Sequence, residues 1–176
     1  GITGPTAAAA GNDSLYYTLP AMMDGLAISA SMSPGRAAQE THTSFGLVYT
    51  GVEGLTVKYG QGDSGAPGAE TESTTMMASY AIGSFTLSAS NTEADNTGAA
   101  NREVDAYQLA YTVSDDISIT YGSETFDLTG NATDEEVEAF GVSYTSGGMT
   151  ISANSYEAKG AGNSATAKSD KWALTA

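Results

Sequence analysis

A two-residue alternation of apolar and small polar side chains runs through most of the chain and constrains its fold more than any other feature. Residues 55–59 read LTVKY, and residues 107–111 read YQLAY, with the apolar side chains at every second position. Successive side chains of a β-strand point to opposite faces, so this spacing predicts strands with one apolar face. No apolar set recurs with helical spacing over three turns. We therefore predict an all-β chain.

The alternation predicts eleven strands whose connections are short and long in turn. An antiparallel meander places alternate connections at opposite ends of its sheet, so all the short turns should share one end. The long connections are rich in Gly, Ala, Ser, Thr, Asn and acids. The predicted strands are residues 14–20, 26–33, 44–50, 55–60, 74–81, 84–90, 104–113, 117–124, 137–145, 149–156 and 171–176. The short connections are 21–25, 51–54, 82–83, 114–116 and 146–148, and the long ones are 34–43, 61–73, 91–103, 125–136 and 157–170.

A tyrosine recurs once in each two-strand unit, shortly before the short turn. Successive members are 32, 31, 31 and 33 residues apart. The tyrosines fall at the same alternate positions as the neighbouring Leu, Ile, Val and Phe residues, and therefore point to the same face of the strands. We expect them to form one ring near the short-turn end of the apolar face. Such a ring beside an apolar surface is typical of a membrane–water interface. The ring consists of Tyr17, Tyr49, Tyr80, Tyr111 and Tyr144.

The opposite strand face carries small neutral residues, which suit the wall of a water-filled lumen and not a packed core. A secreted β-sandwich is the alternative, but it would place large apolar side chains inside and charges outside. The residues predicted to point outward are Leu47, Tyr49, Leu55, Val57, Leu87, Leu109, Ile119, Val142 and Ile151. Those predicted to point inward are Thr56, Thr86, Gln108, Thr120 and Ser152.

Three segments resemble hairpins and strands of the general diffusion porins of Gram-negative outer membranes. They are residues 13–26, 143–150 and 171–176, and the wider pattern extends the resemblance over essentially the whole chain. It implies an antiparallel transmembrane β-barrel of about sixteen strands. Residues 1–176 would then be one barrel domain, the C-terminal two-thirds of a porin, lacking five early strands and a terminal aromatic residue. Residues 1–12 would be the tail of the inward-folded constriction loop.

The resemblance also implies a function, which is passive diffusion of small hydrophilic solutes and ions without catalysis or a resident cofactor. The implied location is the outer membrane. The implied partners are outer-membrane lipid, lipopolysaccharide and further copies of the chain in a homotrimer, with the closing strand at the subunit interface. Two other classes stay open, an adhesin or S-layer-type protein of the cell surface and a serine protease. An adhesin domain would be soluble without detergent, whereas a porin would precipitate.

The net charge of −15 bears on partners and on ion preference. It argues against nucleic acid, whose binding needs a basic surface. Seventeen of the 21 acids fall in the predicted long connections or at strand ends beside them, and none is predicted mid-strand. Four of the six basic residues share those connections, which leaves 17 minus 4, or 13, negative charges at one mouth. Clustered charge raises the local counter-ion concentration, so we expect a cation preference that salt weakens.

Six inward positions are the candidates for the pore lining. Lys58 and Lys171 are the only cations in the predicted strands. In the family that the chain resembles, inward basic residues face acids of the constriction loop. Tyr16 stands near a position where related porins often carry a basic residue, which argues against a strong basic cluster. The full set is Tyr16, Lys58, Gln108, Thr120, Glu124 and Lys171.

The segment Gly62-Asp63-Ser64-Gly65-Ala66-Pro67 resembles the nucleophile loop of chymotrypsin-like proteases. Serine catalysis would also need a histidine base and an aspartate that orients it. The single histidine, His42, lies 22 residues before Ser64, whereas in that family the two come from different barrels. A flexible outer loop with Gly and Pro turns is therefore the favoured interpretation.

The run Asp134-Glu135-Glu136, together with Glu138, offers oxygen ligands for a divalent cation. Consecutive carboxylates converge on one ion only where the chain wraps around it, so a solvated acidic loop is favoured. On an outer surface, such a loop would be able to share calcium or magnesium with lipopolysaccharide phosphates. The chain has no cysteine and one histidine, which excludes thiolate and multi-histidine metal sites within it.

Overall fold

The computed structural model describes residues 14–35 and 40–175, and within them a single antiparallel sheet contains all the regular structure. Its eleven strands lie in chain order, and each pairs only with its sequence neighbours. The predicted all-β meander of eleven strands is confirmed. The strands are β1 (Leu15–Thr18), β2 (Leu26–Ser33), β3 (His42–Tyr49), β4 (Leu55–Ala66), β5 (Ala69–Ile82), β6 (Phe85–Asn96), β7 (Arg102–Ser114), β8 (Ile117–Leu128), β9 (Glu135–Ser146), β10 (Met149–Lys159) and β11 (Lys168–Thr175).

The strand register keeps the two-residue alternation in step across the sheet. Leu47 lies opposite Tyr59 and Tyr59 opposite Met76, while Leu87 lies opposite Leu109. Directly opposed residues project to the same side of a sheet. These rows therefore form one face, the apolar face, and the alternate positions form the small-residue face. The residue sets predicted to point outward and inward lie on the apolar face and the small-residue face, respectively.

None of the described residues forms a second layer on the apolar face. Leu87 is 58% exposed and Trp172 is 80% exposed. Among the residues that the structure describes, only Ala94 and Ala106 are buried apolar ones. A β-sandwich would cover this face with a second sheet, so the exposed face argues against the sandwich alternative. No helix of the described residues has the length and hydropathy to cross a membrane.

Several strand pairs continue well beyond the ends that the alternation predicts. β4 and β5 remain paired as far as Ala66 and Ala69, so Pro67 and Gly68 are the whole connection where a loop over 61–73 was expected. Residues 97–101, 129–134 and 160–167 likewise replace longer predicted loops. The predicted loop lengths are wrong because backbone pairing continues where the apolar side chains give way to Asn, Thr and carboxylates. A change in polarity along a face is not the end of a strand.

These extensions place most of the predicted loop acids on strands, so the prediction that none lies mid-strand is wrong. Glu93, for example, pairs with Glu103, and Glu103 pairs with Asp127. Most of these acids lie on the same side of the sheet as the apolar face, beyond its last apolar rows and at the end of the sheet opposite the short turns. We call this zone the acidic margin; it contains Asp63, Glu72, Glu93, Asp95, Glu103, Asp105, Asp127, Glu136, Glu138, Glu157 and Asp170.

Glycines in the short turns meet different surroundings. Gly54, in the β3–β4 turn, has a φ of +76°, and a Cβ there would lie 2.3 Å from the carbonyl oxygen of Ala81. Gly83, in the β5–β6 turn, has a φ of +56° with no atom within 4 Å of such a Cβ. Both positions favour glycine for its freedom at positive φ, but only Gly54 also requires it for close backbone approach.

Candidate functional site

The small-residue face presents mainly glycine, alanine, serine and threonine. In the described strands it carries five charged side chains, of which only Lys58 lies close to a short turn, four residues after Gly54. Lys58 and Glu124 occupy one row across the sheet, with β5, β6 and β7 between their strands. Strands lie about 4.8 Å apart, so this pair is separated by nearly 20 Å. The five are Lys58, Arg102, Glu124, Glu135 and Lys171.

All six residues predicted to line a pore lie on the small-residue face. Tyr16 is aligned through Ser31 and Ser44 with Gly62 of β4. Lys171 lies opposite Tyr156 on the neighbouring strand. Their role in lining a pore stays a prediction. The six are Tyr16, Lys58, Gln108, Thr120, Glu124 and Lys171.

A first depression, of about 420 Å³, brings Tyr16 and Lys58 together over β2, β3 and β4. Its floor includes Gly46 and Gly60, where the absence of side chains creates the space. Hydroxyl groups border it, including that of Ser44, which forms a 2.7 Å hydrogen bond with the Ser31 hydroxyl. Its lining contains one cation, Lys58, and one acid, Asp63.

A second depression, of about 290 Å³, lies over β7 to β10. Gly122, Ala139 and Gly141 contribute almost no side chain to its floor. Its polar border contains Gln108, Thr120, Glu124, Asn154 and Tyr156. Of the predicted pore residues, the structure therefore brings Gln108, Thr120 and Glu124 together here. Sequence reasoning missed Asn154 and Tyr156, although both share the inward parity of Ser152.

Aromatic side chains border the apolar face at two levels. The five repeated tyrosines lie on this face near the short-turn end, and Tyr111 stacks on Phe85 with ring centroids 4.5 Å apart. A second level lies nearer the acidic margin and was missed by the sequence reasoning, although its members have the same parity. Phe45 contacts one of them, Tyr59, at a centroid distance of 6.3 Å. The second level consists of Tyr59, Tyr107, Tyr121 and Trp172.

The acidic margin places carboxylates opposite one another, which is unfavourable for paired strands. Neighbouring donors offset part of this repulsion. The Asn91 side-chain nitrogen donates to Glu103 at 2.8 Å and to Asp105 at 3.1 Å. The Lys159 ammonium lies 3.4 Å from Glu157 and 3.8 Å from Glu138.

Two carboxyl groups beside the connections, beyond the apolar rows, have displaced pKa values. A hydrogen bond shared with Asp134 raises the pKa of Asp127, and partial desolvation and the charges of Asp134 and Glu103 add to the effect. The backbone N–H of Gly68 donates to Glu70 at 2.8 Å and lowers the pKa of that carboxyl. The Asp127 carboxyl therefore keeps its proton to a higher pH than an ordinary aspartate does.

The acidic run that was considered as a source of metal ligands, and for which a solvated loop was favoured, lies largely on β9, where its side chains diverge. Glu135 lies on the small-residue face, whereas Glu136 and Glu138 lie on the side of the apolar face. The backbone N–H of Gly162 donates to Glu135 at 2.9 Å. Across residues 14–35 and 40–175, no three His, Cys, Asp or Glu side chains form a group that could hold a metal ion.

The protease-like segment is the end of β4 and its tight turn, and not the flexible loop that the sequence predicted. Asp63 accepts hydrogen bonds from the backbone N–H of Thr43 and, at 3.1 Å, from its hydroxyl. In the described part of the chain, no hydrogen bond joins His42 to Ser64. The arrangement that serine catalysis needs is therefore not formed between these residues.

Comparison with known proteins gives one family and several similar folds. The family model of Gram-negative porins matches residues 1–176. The chain is similar to an anion-selective porin from Comamonas acidovorans, with 15% identity, a TM-score of 0.67, and coverage of 83% of this chain and 48% of that one. No curated protein sequence matches the chain.

Two further solved structures show the same fold. A refined porin structure matches with 18% identity and a TM-score of 0.62, covering 82% of this chain and 55% of that one. The trimer form of OmpT, an outer membrane protein of Vibrio cholerae, matches with 18% identity and a TM-score of 0.54, covering 83% and 54%. The chain thus spans about half the length of the solved structures it matches.

Proposed function

This chain belongs to the Gram-negative porin family of the outer membrane, and we propose that it forms most of the wall of a water-filled pore. Small hydrophilic solutes and ions would cross that pore by passive diffusion, without catalysis. The observation that carries the proposal is one continuous meander with an exposed apolar face and a face of small polar residues.

The two faces fit the two solvents of a pore wall. Lipid would cover the apolar face, whose rows of tyrosine and tryptophan are typical of the outer surface of membrane barrels. Water would cover the small-residue face, where short side chains leave space. Backbone pairing on both sides of β2 to β10 satisfies the polar groups that hydrocarbon cannot.

Single cysteines at adjacent residues test this assignment, because the chain has none of its own. In the full-length protein, freed of any other cysteine and reconstituted in vesicles, a charged maleimide should label Thr86→Cys and leave Leu87→Cys unlabelled. Planar bilayers containing the same protein should show KCl conductance. Equal labelling of the two cysteines, or a protein that stays soluble without detergent, would contradict the proposal.

We also propose that the pore prefers cations, and that this preference comes from the acidic margin and not from the small-residue face. In the described strands the small-residue face carries three cations and two acids, a net charge of 3 minus 2, or +1. The acidic margin and the adjacent connections would attract the cations. This attraction should be strong at about 0.01 M salt, where the Debye length is about 30 Å, and weak at about 1 M, where it is about 3 Å.

Reversal potentials in KCl gradients at about 0.01 M and 1 M would test this preference. The Comamonas acidovorans porin is anion-selective, so the sign must be measured for this protein. Chloride selectivity at the lower salt concentration would contradict the proposal.

We further propose that divalent cations link the acidic margin to lipopolysaccharide phosphates. The margin lies beyond the second aromatic level, where headgroups of an outer leaflet would stand, and carboxylate and phosphate oxygens are good ligands for Ca²⁺. Calcium should raise the thermal stability of the protein in lipopolysaccharide-containing vesicles, and Glu93→Gln with Glu103→Gln should reduce the gain. An equal gain in phosphatidylcholine alone would contradict the link.

The trimer form of the OmpT structure supports a further proposal, that the full-length protein is a homotrimer. The closing strand β11 would lie at the subunit interface, and most other strands would face lipid. Light scattering of the detergent-solubilised protein, corrected for bound detergent, would measure the mass. A monomer under conditions that preserve the folded barrel would contradict it.

A further inference from the structure

We propose that the second depression binds a neutral polyhydroxylated solute, such as a monosaccharide or disaccharide, while it passes along the wall. This inference rests on the proposed pore function, because the depression is reached from the lumen only if the small-residue face lines a lumen. It adds a substrate class to that function. Small-molecule sites combine a concave apolar surface with a few well-placed polar groups, and this depression has both.

Glycine creates the space and polar atoms converge above it. Gly141 is buried, and a Cβ at this position would lie 2.6 Å from the Asn154 Oδ1 atom and 2.8 Å from the Thr120 Oγ1 atom. The two oxygens therefore lean over the floor from the strands on either side. Gly122 and Ala139 extend the floor in the next row toward Gln108 and Tyr156.

The amide groups at the border have unused hydrogen-bonding capacity. Within the described residues, neither the Gln108 nor the Asn154 side chain has a hydrogen-bond partner in the protein, although both are half-buried. Of the other described Asn and Gln side chains, the exposed one of Asn131 also lacks a partner, whereas hydrogen bonds are formed by those of Gln61, Asn91, Asn96, Asn101 and Asn163. A carboxamide offers both donors and acceptors, and so do the hydroxyl groups of a sugar.

Tyr156 supplies the apolar surface of the site. Its side chain is 41% exposed and borders the same depression as the two amides. An exposed phenol ring offers a flat, weakly polar surface against which the C–H face of a sugar ring can pack, while its hydroxyl remains free for a hydrogen bond.

The charge balance favours a neutral solute over an ion. Glu124 borders the depression, and Lys171 lies opposite Tyr156 on β11, so one acid and one base stand on its two sides. The first depression also has both charges in its lining, Lys58 and Asp63, but its one carboxamide, Gln61, is already hydrogen-bonded to Glu72. The second depression is thus the better match for hydroxylated solutes without charge.

Ion-current block by sugar in planar bilayers tests the inference with the full-length protein. Maltose should reduce the KCl conductance with saturation, whereas polyethylene glycol of similar size should reduce it without saturation. Tyr156→Leu should raise the half-saturating maltose concentration about five- to tenfold, as expected for loss of an aromatic contact. Tyr156→Phe should change it much less, and Gln108→Ala with Asn154→Ala should raise the half-saturating maltose concentration.

Tyr16→Leu is the matched control, because Tyr16 lies on the same face but at the first depression. It should leave the half-saturating maltose concentration unchanged. A channel that conducts KCl but shows no saturable block, or equal effects of the two leucine variants, would overturn this inference alone. A correctly folded protein without any conductance would overturn the proposed function and this inference with it.

Discussion

An arginine on the apolar face should destabilise the protein far more than an arginine one residue away. We select Leu109→Arg and Ala110→Arg, which are adjacent in β7 but lie on opposite faces of the sheet. Leu109 is 42% exposed and lies between Leu87 and Tyr121 of the flanking strands. Ala110 lies on the small-residue face between two threonines.

The position of Leu109 determines the expected cost. Tyr107 and Tyr111 stand two residues away on either side, about 7 Å along the strand. With the strand tilt of about 45° found in membrane barrels, Leu109 lies roughly 5 Å in depth from each aromatic level. The two levels are therefore only about 10 Å apart in depth, less than the apolar band of about 25 Å in membrane barrels, so the cost of an arginine at Leu109 lies between about 1 kcal/mol near an interface and about 2–4 kcal/mol at the midplane. A cost of about 1–2 kcal/mol is equivalent to a loss of roughly 5- to 30-fold in the folding equilibrium. At Ala110 the guanidinium would remain in water.

Denaturant titration of the full-length protein in phospholipid vesicles measures both variants. The folded fraction can be followed by protection from protease and by the electrophoretic mobility of unheated samples. Leu109→Arg should unfold at a clearly lower denaturant concentration than the parent protein, and Ala110→Arg should change the midpoint little. If the two variants were equally destabilised, or if Ala110→Arg were the worse, the assignment of the lipid face would be wrong.

Three further predictions concern turns, pH and selectivity. Gly54→Ala should cost more than Gly83→Ala in the same titration, because both incur about 1–2 kcal/mol at positive φ but only the first meets a backbone oxygen; equal costs would contradict the close approach. The hydrogen bond shared with Asp134 raises the folded-state pKa of Asp127. The protonated Asp127 therefore stabilises the folded state at acid pH, and this contribution is lost as pH rises through that pKa. The parent protein should therefore lose stability relative to Asp127→Asn from about pH 4 upward, and parallel pH profiles would refute this. Lys58→Glu should change the small-residue face of the described strands from +1 to −1 and raise the cation permeability ratio; an unchanged reversal potential would place Lys58 away from the narrow part of the pore.

The sequence predicts the number of strands, their order and their faces because side-chain alternation and turn spacing both report local backbone geometry. It does not predict where the longer strands end. At Glu93 and Glu103 the alternation continues with carboxylates, and carboxylates are also the residues that fill solvated loops. Only the pairing partner distinguishes the two cases, and that partner lies on another strand.

In the candidate site, too, some features can be predicted from the sequence and others depend on strand pairing. Parity alone assigns Gln108, Thr120 and Glu124 to the small-residue face. The depression that gathers them depends on Gly122 and Gly141 lying in adjacent rows of neighbouring strands, which is a matter of register. Asn154 and Tyr156 join the group for the same reason, and no feature of their own segment distinguishes them from other inward residues.

The exclusive pairing of each strand with its sequence neighbours makes the sheet thermodynamically similar to a linear repeat protein. In such a chain, stability is close to a sum of unit energies and nearest-neighbour coupling energies. Substitutions in the β4–β5 hairpin and in the β9–β10 hairpin share no strand interface. Their free-energy effects should therefore add, and substitutions in adjacent strands should not. A hairpin could thus change its luminal side chains over evolutionary time, while the pairing energies of strands that do not contact it stayed the same.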